Sequence, residues 1–185
     1  MASIISATPA LLSAPKSPYS GDTLILESTY GDRCHEGRKN RRLQLKKVVE
    51  NCLKNRGVLL IPAFSLGRTQ SLLYEFEQII QQYAGNWSDI EIVVDSPMAL
   101  KLTAVYQKLT HLWDREAKKK LAAGRHPLNF AQMTVIDDAK THDQVVKYLQ
   151  KTARPTLVIA ASGMCSGGRI VHYLKALIGD ERSDI

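Results

Sequence analysis

Short, continuous apolar runs alternate with longer stretches whose apolar residues recur every three or four positions. The runs at 23–26 (TLIL), 57–64 (GVLLIPAF), 89–96 (DIEIVVDS), 133–137 (MTVID) and 154–162 (RPTLVIAAS) lack the period-two pattern of half-wet strands. They therefore predict about five strands buried on both faces. Between them, residues 38–55 place Leu43, Leu45, Val48, Val49, Cys52 and Leu53 near helical spacing, and Gly57 stops the element. Residues 65–84 form a second helix through Leu72, Leu73, Phe76, Ile79, Ile80 and Tyr83. A third helix runs to about residue 109, with Ser96 as its cap and Pro97 in its first position. Residues 110–132 hold a helical piece ending near Gly124 and a loop through Pro127. Residues 141–152 read as a helix capped by Thr141, and 167–179 as a closing helix. The order predicts an α/β fold, a mostly parallel sheet with helices on both faces.

In such sheets ligands bind beyond the carboxyl ends of the strands. Four predicted strands end in polar, reactive segments: ESTYGDRCH (27–35), FSLGRTQ (64–70), DSPMAL (95–100) and SGMCSGGR (162–169). In the second, Ser65 can cap a helix whose free N–H groups, together with Arg68, make either an anion site or a simple cap beside a surface arginine. In the fourth, Gly163, Gly167 and Gly168 allow close backbone approach to a ligand, and Ser162, Ser166 and Arg169 are phosphate-competent. The segment matches neither the Walker pattern nor G-x-G-x-x-G. Asp95 reads as turn chemistry or as a ligand contact. His111, His126, His142 and His172 are scattered without metal-ligand spacing, so no metal site is assembled from them. Met98, Met133 and Met164 read as core or loop filler, and the basic residues between Arg38 and Lys47 as a solvated helix face.

With 185 residues, 44% of them hydrophobic and 23% charged, the composition is that of one globular domain. No apolar stretch approaches the roughly 20 residues of a membrane span. Residues 1–21, broken by Pro9, Pro15 and Pro18 and lacking a cationic start, read as an irregular lead-in rather than a secretory signal. Cys34, Cys52 and Cys165 form no C-x-x-C pair, which fits a reducing, cytoplasmic setting. A net charge of +7 favours an anionic partner such as nucleic acid.

Taken together, LILESTYGDRCHE, LLIPAFSLGRTQSLLYEFEQI, DSPMALKLTAVY and VIAASGMCSGGRIVHYLK resemble the β-CASP domain of metallo-β-lactamase-fold RNA-processing nucleases, from about Asp22 to Gly179. They are similar to a bacterial exonuclease-like group and, more distantly, to ribonuclease J and the cleavage and polyadenylation endonuclease. The resemblance implies an α/β cap domain over 22–179, with 180–185 as a tail, set against a metallo-β-lactamase domain. Single-stranded RNA would enter the cleft between the two domains. It implies a parent ribonuclease with two zinc ions held mostly by that other domain, whose H-x-H-x-D-H segment this sequence lacks. No metal is expected to bind tightly to this chain, and the chain alone is expected to be inactive. Glu27 matches the acidic residue of the family's first β-CASP motif, which implies a hydrogen bond to a catalytic histidine of the other domain. Ser65 and Arg68 match the second conserved stretch, and Ser162, Gly163, Gly167 and Gly168 the late turn, which implies that they line an RNA channel. Two other readings stay open: a free-standing phosphate or nucleotide-binding module, and a scaffold subunit with a degenerate site. Homodimerisation is open as well.

Overall fold

The computed structural model describes residues 11–13, 19–25, 28–29, 31–32, 40–83, 85, 87, 90–152 and 154–185. In chain order the elements are α1 (Arg41–Asn55), β1 (Val58–Pro62), α2 (Arg68–Gln82), β2 (Glu91–Asp95), α3 (Pro97–Lys108), α4 (Arg115–Ala122), β3 (Met133–Ile136), α5 (Ala139–Lys151), β4 (Thr156–Ala160) and α6 (Arg169–Leu177). A 3₁₀ turn, Thr110–Leu112, separates α3 from α4. The four strands form one parallel sheet in the order β1-β4-β2-β3.

The apolar runs alternate between two cores. Leu59, Ile92, Val94, Leu157 and Ile159 face one layer, packed by α1 to α4 through residues such as Val49, Phe76, Ala99 and Ala117. Val58, Leu60, Val93, Val158 and Ala160 face the other, covered by Leu149 of α5 and by Ile170, Tyr173 and Leu177 of α6. Burial on both faces is why these strands read as continuous apolar runs. Handedness decides which helix lies where. The connections from β1 to β2 and from β2 to β3 advance across the sheet, whereas β3 to β4 steps back over β2. Right-handed crossovers moving in opposite directions leave their helices on opposite faces.

The sheet has four strands where about five were expected. Thr23, Leu24 and Ile25 join no strand, and Ile25 is 93% exposed; Leu26 lies outside the described residues. The edge of β1 that a further strand could have joined is already taken by the chain's own last residues. Asp184 donates its N–H to Val58 O (2.9 Å) and accepts from Leu60 N–H (2.9 Å), while Ser183 Oγ accepts from Val58 N–H (3.2 Å). At the other end of the described chain, Leu11 is buried in the first core, its carbonyl accepting from Asp114 N–H at 3.0 Å.

Two predicted caps move. Asp138, not Thr141, caps α5, its carboxylate accepting from Thr141 N–H at 2.8 Å. Ser65 does not cap α2, which begins three residues later behind Gly67. The Ser96 cap of α3 and Pro97 at its first position are as expected, with Ser96 Oγ accepting from Ala99 N–H at 3.2 Å.

Gly57 marks the closest backbone approach in this arrangement, because a Cβ there would sit 1.7 Å from Arg182 O. Gly57→Ala is expected to push the tail off β1 and to cost about 1–3 kcal/mol, the usual penalty of overpacking. Urea unfolding gives the loss, and amide exchange at Leu60 gives its place; unchanged protection of Leu60 N–H would contradict this account.

Candidate functional site

The turns that follow β1, β2 and β4 meet at the carboxyl rim. β4 lies between β1 and β2, and its following helix goes to the opposite face from theirs. A strand whose following helix leaves to the opposite face from its neighbours' helices makes the topological switch points at which α/β sheets bind ligands, and β4 has one on each side.

The β1–α2 turn is held from inside by Gln70. Its Oε1 accepts from Gly67 N–H (2.7 Å), and its Nε2 donates to Ser65 O (3.1 Å) and to Thr103 Oγ1 of α3 (2.9 Å). Thr69 Oγ1 donates to Phe64 O at 2.9 Å. With the helix start managed by Gln70, the Ser65 hydroxyl pairs instead with Ser96 Oγ at 3.0 Å and links the turns after β1 and β2. Arg68 is exposed at the first position of α2. Among the described residues no carboxylate pairs with it, whereas its neighbours Arg41 and Arg42 are held by Glu75 at 2.6 and 2.9 Å. The same turn exposes Phe64 (56%) and Leu66.

The β4–α6 turn folds on itself. Ser162 donates its N–H to Gly167 O (3.2 Å), Cys165 N–H donates to Ser162 O (3.1 Å), and Ile170 N–H donates to Ala161 O (2.9 Å). Ser162 Oγ accepts from Met164 N–H at 3.3 Å. Gly168 has φ +77°, and a Cβ there would lie 2.6 Å from Ala161 O, so this position requires glycine. A Cβ on Gly163 would lie 3.0 Å from Phe64 N, which places this turn against the β1–α2 turn. Gly167 faces open space. Met98 and Met164 are exposed beside these turns rather than buried as core; Met133 packs against the first core.

Behind the rim lies a constellation that spacing did not announce. Asp95, at the end of β2, is 0% exposed. One carboxylate oxygen accepts from His142 Nδ1 (2.6 Å) and Tyr173 Oη (2.5 Å), and the other from Arg169. Arg169 also donates to Ile136 O and Asp137 O, both at 3.0 Å. It is thus occupied structurally and is not the phosphate contact its sequence position suggested. Asp95 is likewise a structural hub rather than a rim contact. Burial first, and then the hydrogen bond and charge of Asp95, push the Tyr173 hydroxyl above its ordinary pKa, so it remains a donor. A carboxylate can only accept, so the His142 Nδ1 carries a proton. The other ring nitrogen, Nε2, lies 2.7 Å from His172 Nδ1. The sequence signal for this group was an Asp at a strand end together with polar residues one turn into two later helices.

Of the expected site residues, Ser65, Arg68, Ser162, Gly163, Gly167 and Gly168 fall on adjoining turns of one rim; Glu27 lies outside the described residues. The description "Beta-Casp domain" matches residues 69–185. The chain belongs to the Beta-Casp domain family. This Beta-Casp domain is 31% identical over 173 residues to "Ribonuclease TTHA0252" of Thermus thermophilus, covering 94% of this chain and 38% of that protein. It is 29% identical over 174 residues to "Endoribonuclease ysh1" of Schizosaccharomyces pombe, with coverage of 92% and 21%. To the "RNase J-like protein" of Methanocaldococcus jannaschii it is 28% identical over 158 residues, with coverage of 84% and 34%. The chain thus spans well under half the length of these curated relatives. Among the described residues no helix is long and apolar enough to cross a membrane.

Replacing Asp95 with Ala would leave the Arg169 charge and two buried donors without their acceptor. The expected loss is about 3–5 kcal/mol, against roughly 1 kcal/mol for Tyr173→Phe, which removes one hydrogen bond. Urea midpoints at constant slope check both; comparable losses for the two variants would show that Asp95 is not the hub.

Proposed function

We propose that this chain is the RNA-binding cap of a cytoplasmic ribonuclease that hydrolyses phosphodiester bonds in RNA processing. The hydrolytic centre would lie on a metallo-β-lactamase domain facing the rim. The observation that carries this reading is the joined rim of three turns, with exposed Arg68 beside exposed Phe64 and the open backbone at Gly167. The guanidinium suits a phosphate, the ring suits a stacked base, and the glycine turn leaves room for a strand to pass close to backbone N–H groups. The names of the relatives, ribonuclease and endoribonuclease, support the substrate class.

Zinc is the ion that the family resemblance implies for the parent enzyme. The residues present do not fit a two-zinc hydrolytic centre. No H-x-H-x-D-H segment occurs among the five histidines, and among the described residues the group His142, Asp143 and His172 offers three ligand atoms, one ion's worth. The chain's own part is therefore to bind and orient RNA, and the chain alone is expected to be inactive. Glu27 is assigned to accept a hydrogen bond from a histidine of the facing domain, holding that ring in one tautomer.

Arg68→Ala is expected to weaken binding of a single-stranded RNA and to lower the slope of log affinity against log salt by about 0.7, one phosphate's worth. Fluorescence anisotropy across a salt series measures it, and an unchanged slope would remove Arg68 from the channel. Glu27→Gln in the complete enzyme is expected to slow cleavage of end-labelled RNA while leaving RNA affinity nearly intact; equal cleavage rates would end its assigned role. A mononucleotide that binds as tightly as longer RNA would favour the phosphate-module reading instead.

A further inference from the structure

The His142–His172 contact lies on the face of the sheet covered by α5 and α6, one helical turn into α6 from the glycine turn. One ring nitrogen from each of His142 and His172 and a carboxylate oxygen of Asp143 all lie within 4.8 Å of one another, and His142 Nε2 and His172 Nδ1 are the nitrogens that face each other. His142 is buried, whereas Asp143 and His172 are exposed, so the cluster opens to solvent on one side.

We propose that His142, Asp143 and His172 form a binding site for one divalent transition-metal ion of zinc's preferences, independent of the hydrolytic centre of the Proposed function. Three features of the molecule carry this. The donor set of two imidazoles and one carboxylate suits zinc and its neighbours, with a fourth position left for water. Behind it stands the support that metal-bound histidines characteristically have. Asp95, with no exposed surface, accepts a hydrogen bond from His142 Nδ1–H at 2.6 Å and so fixes the tautomer whose free lone pair is on Nε2, facing the exposed His172. Asp95 is in turn held by Arg169 and Tyr173, so the ring of His142 is set before any ion arrives. Finally, the two ring nitrogens that face each other sit 2.7 Å apart, with the ring planes inclined at 45°.

Both exposed ligands adjust, the Asp143 carboxylate closing from within 4.8 Å of the nitrogens to bonding distance of the ion. At 2.7 Å the two nitrogens share a proton. Two nitrogens bound to one tetrahedral zinc at its usual bond length stand about 3.3 Å apart. Entry of the ion therefore turns His172, the exposed partner, outward by roughly half an ångström, while its ring proton moves from Nδ1 to the solvent-facing Nε2. These changes fall on two exposed side chains, His172 and Asp143, while the buried His142 keeps its place. The bound ion would join α5 to α6, two helices that share the second core. The site is at odds with the scattered spacing of the histidines in sequence, from which no metal site is assembled, and with the family resemblance, which implies no tightly bound metal on this chain.

The test is a titration of the chelator-stripped 185-residue chain with Co²⁺, followed by visible absorption, and with Zn²⁺, followed by calorimetry and thermal unfolding. The expected result is one equivalent bound, with the visible bands of a low-coordinate cobalt site and a raised unfolding temperature. His172→Ala and Asp143→Ala, both at exposed positions, should each weaken Zn²⁺ binding at least tenfold and remove the thermal shift at matched ion concentration. His111→Ala, elsewhere on the surface, should leave both unchanged. Absence of stoichiometric binding overturns the proposal. So does full binding retained in both His172→Ala and Asp143→Ala, which would locate the ion elsewhere. Because the readouts are binding and stability without RNA, failure here leaves the RNA-channel reading standing, and loss of that reading leaves this site standing.

Discussion

A single carboxylate buried at the end of β2 joins most of the second layer of this domain. Asp95 meets α5 through His142 and α6 through Arg169 and Tyr173, and Arg169 carries the connection on to the carbonyls at the end of β3. An ionised group away from water is tolerable only where donors surround it. The placement of two helices and of the β3–α5 turn follows from that demand. The glycine turn that precedes Arg169 is positioned by the same contacts, because α6 starts at the arginine. The rim therefore owes its shape partly to a salt bridge to a carboxylate buried behind it.

The sheet order supplies the second constraint. Placing β4 between β1 and β2 sets one glycine-bearing turn between two others, and the Ser65–Ser96 hydroxyl pair ties those outer turns together. Residues separated by some hundred positions in the chain thereby share one surface.

Most elements could be read from local pattern, because strands buried on both faces and amphipathic helices each leave a periodic trace. The Ser96–Pro97 start was legible for the same reason: cap and proline act on the turn they occupy. Ser65 misled because a competing side chain, Gln70, reaches back to Gly67 N–H, and nothing in the local pattern ranks one partner above the other. Arg169 looked like a phosphate ligand because its role depends on Asp95, 74 residues earlier. The His142–His172 pair was invisible for a similar cause, since the backward crossover from β3 to β4 is what sets α5 beside α6. The apolar run at 23–25 satisfies strand chemistry yet finds no strand partner, and hydropathy does not record which edges are free.

The order in which the strands leave the ribosome gives this topology a kinetic consequence. β1 is made first, but both of its neighbours come late: β4 follows β2 and β3, and Ser183, which covers the other edge, is 125 residues downstream of Val58. During synthesis a five-residue apolar strand, Val-Leu-Leu-Ile-Pro, waits with its backbone groups unpaired on both sides while β2 and β3 can already join each other. Closing so long a loop is slow, and an open apolar edge invites pairing with other chains in the meantime. The nascent domain is thus most exposed to aggregation, and most in need of a chaperone, in the interval between the first strand and the last.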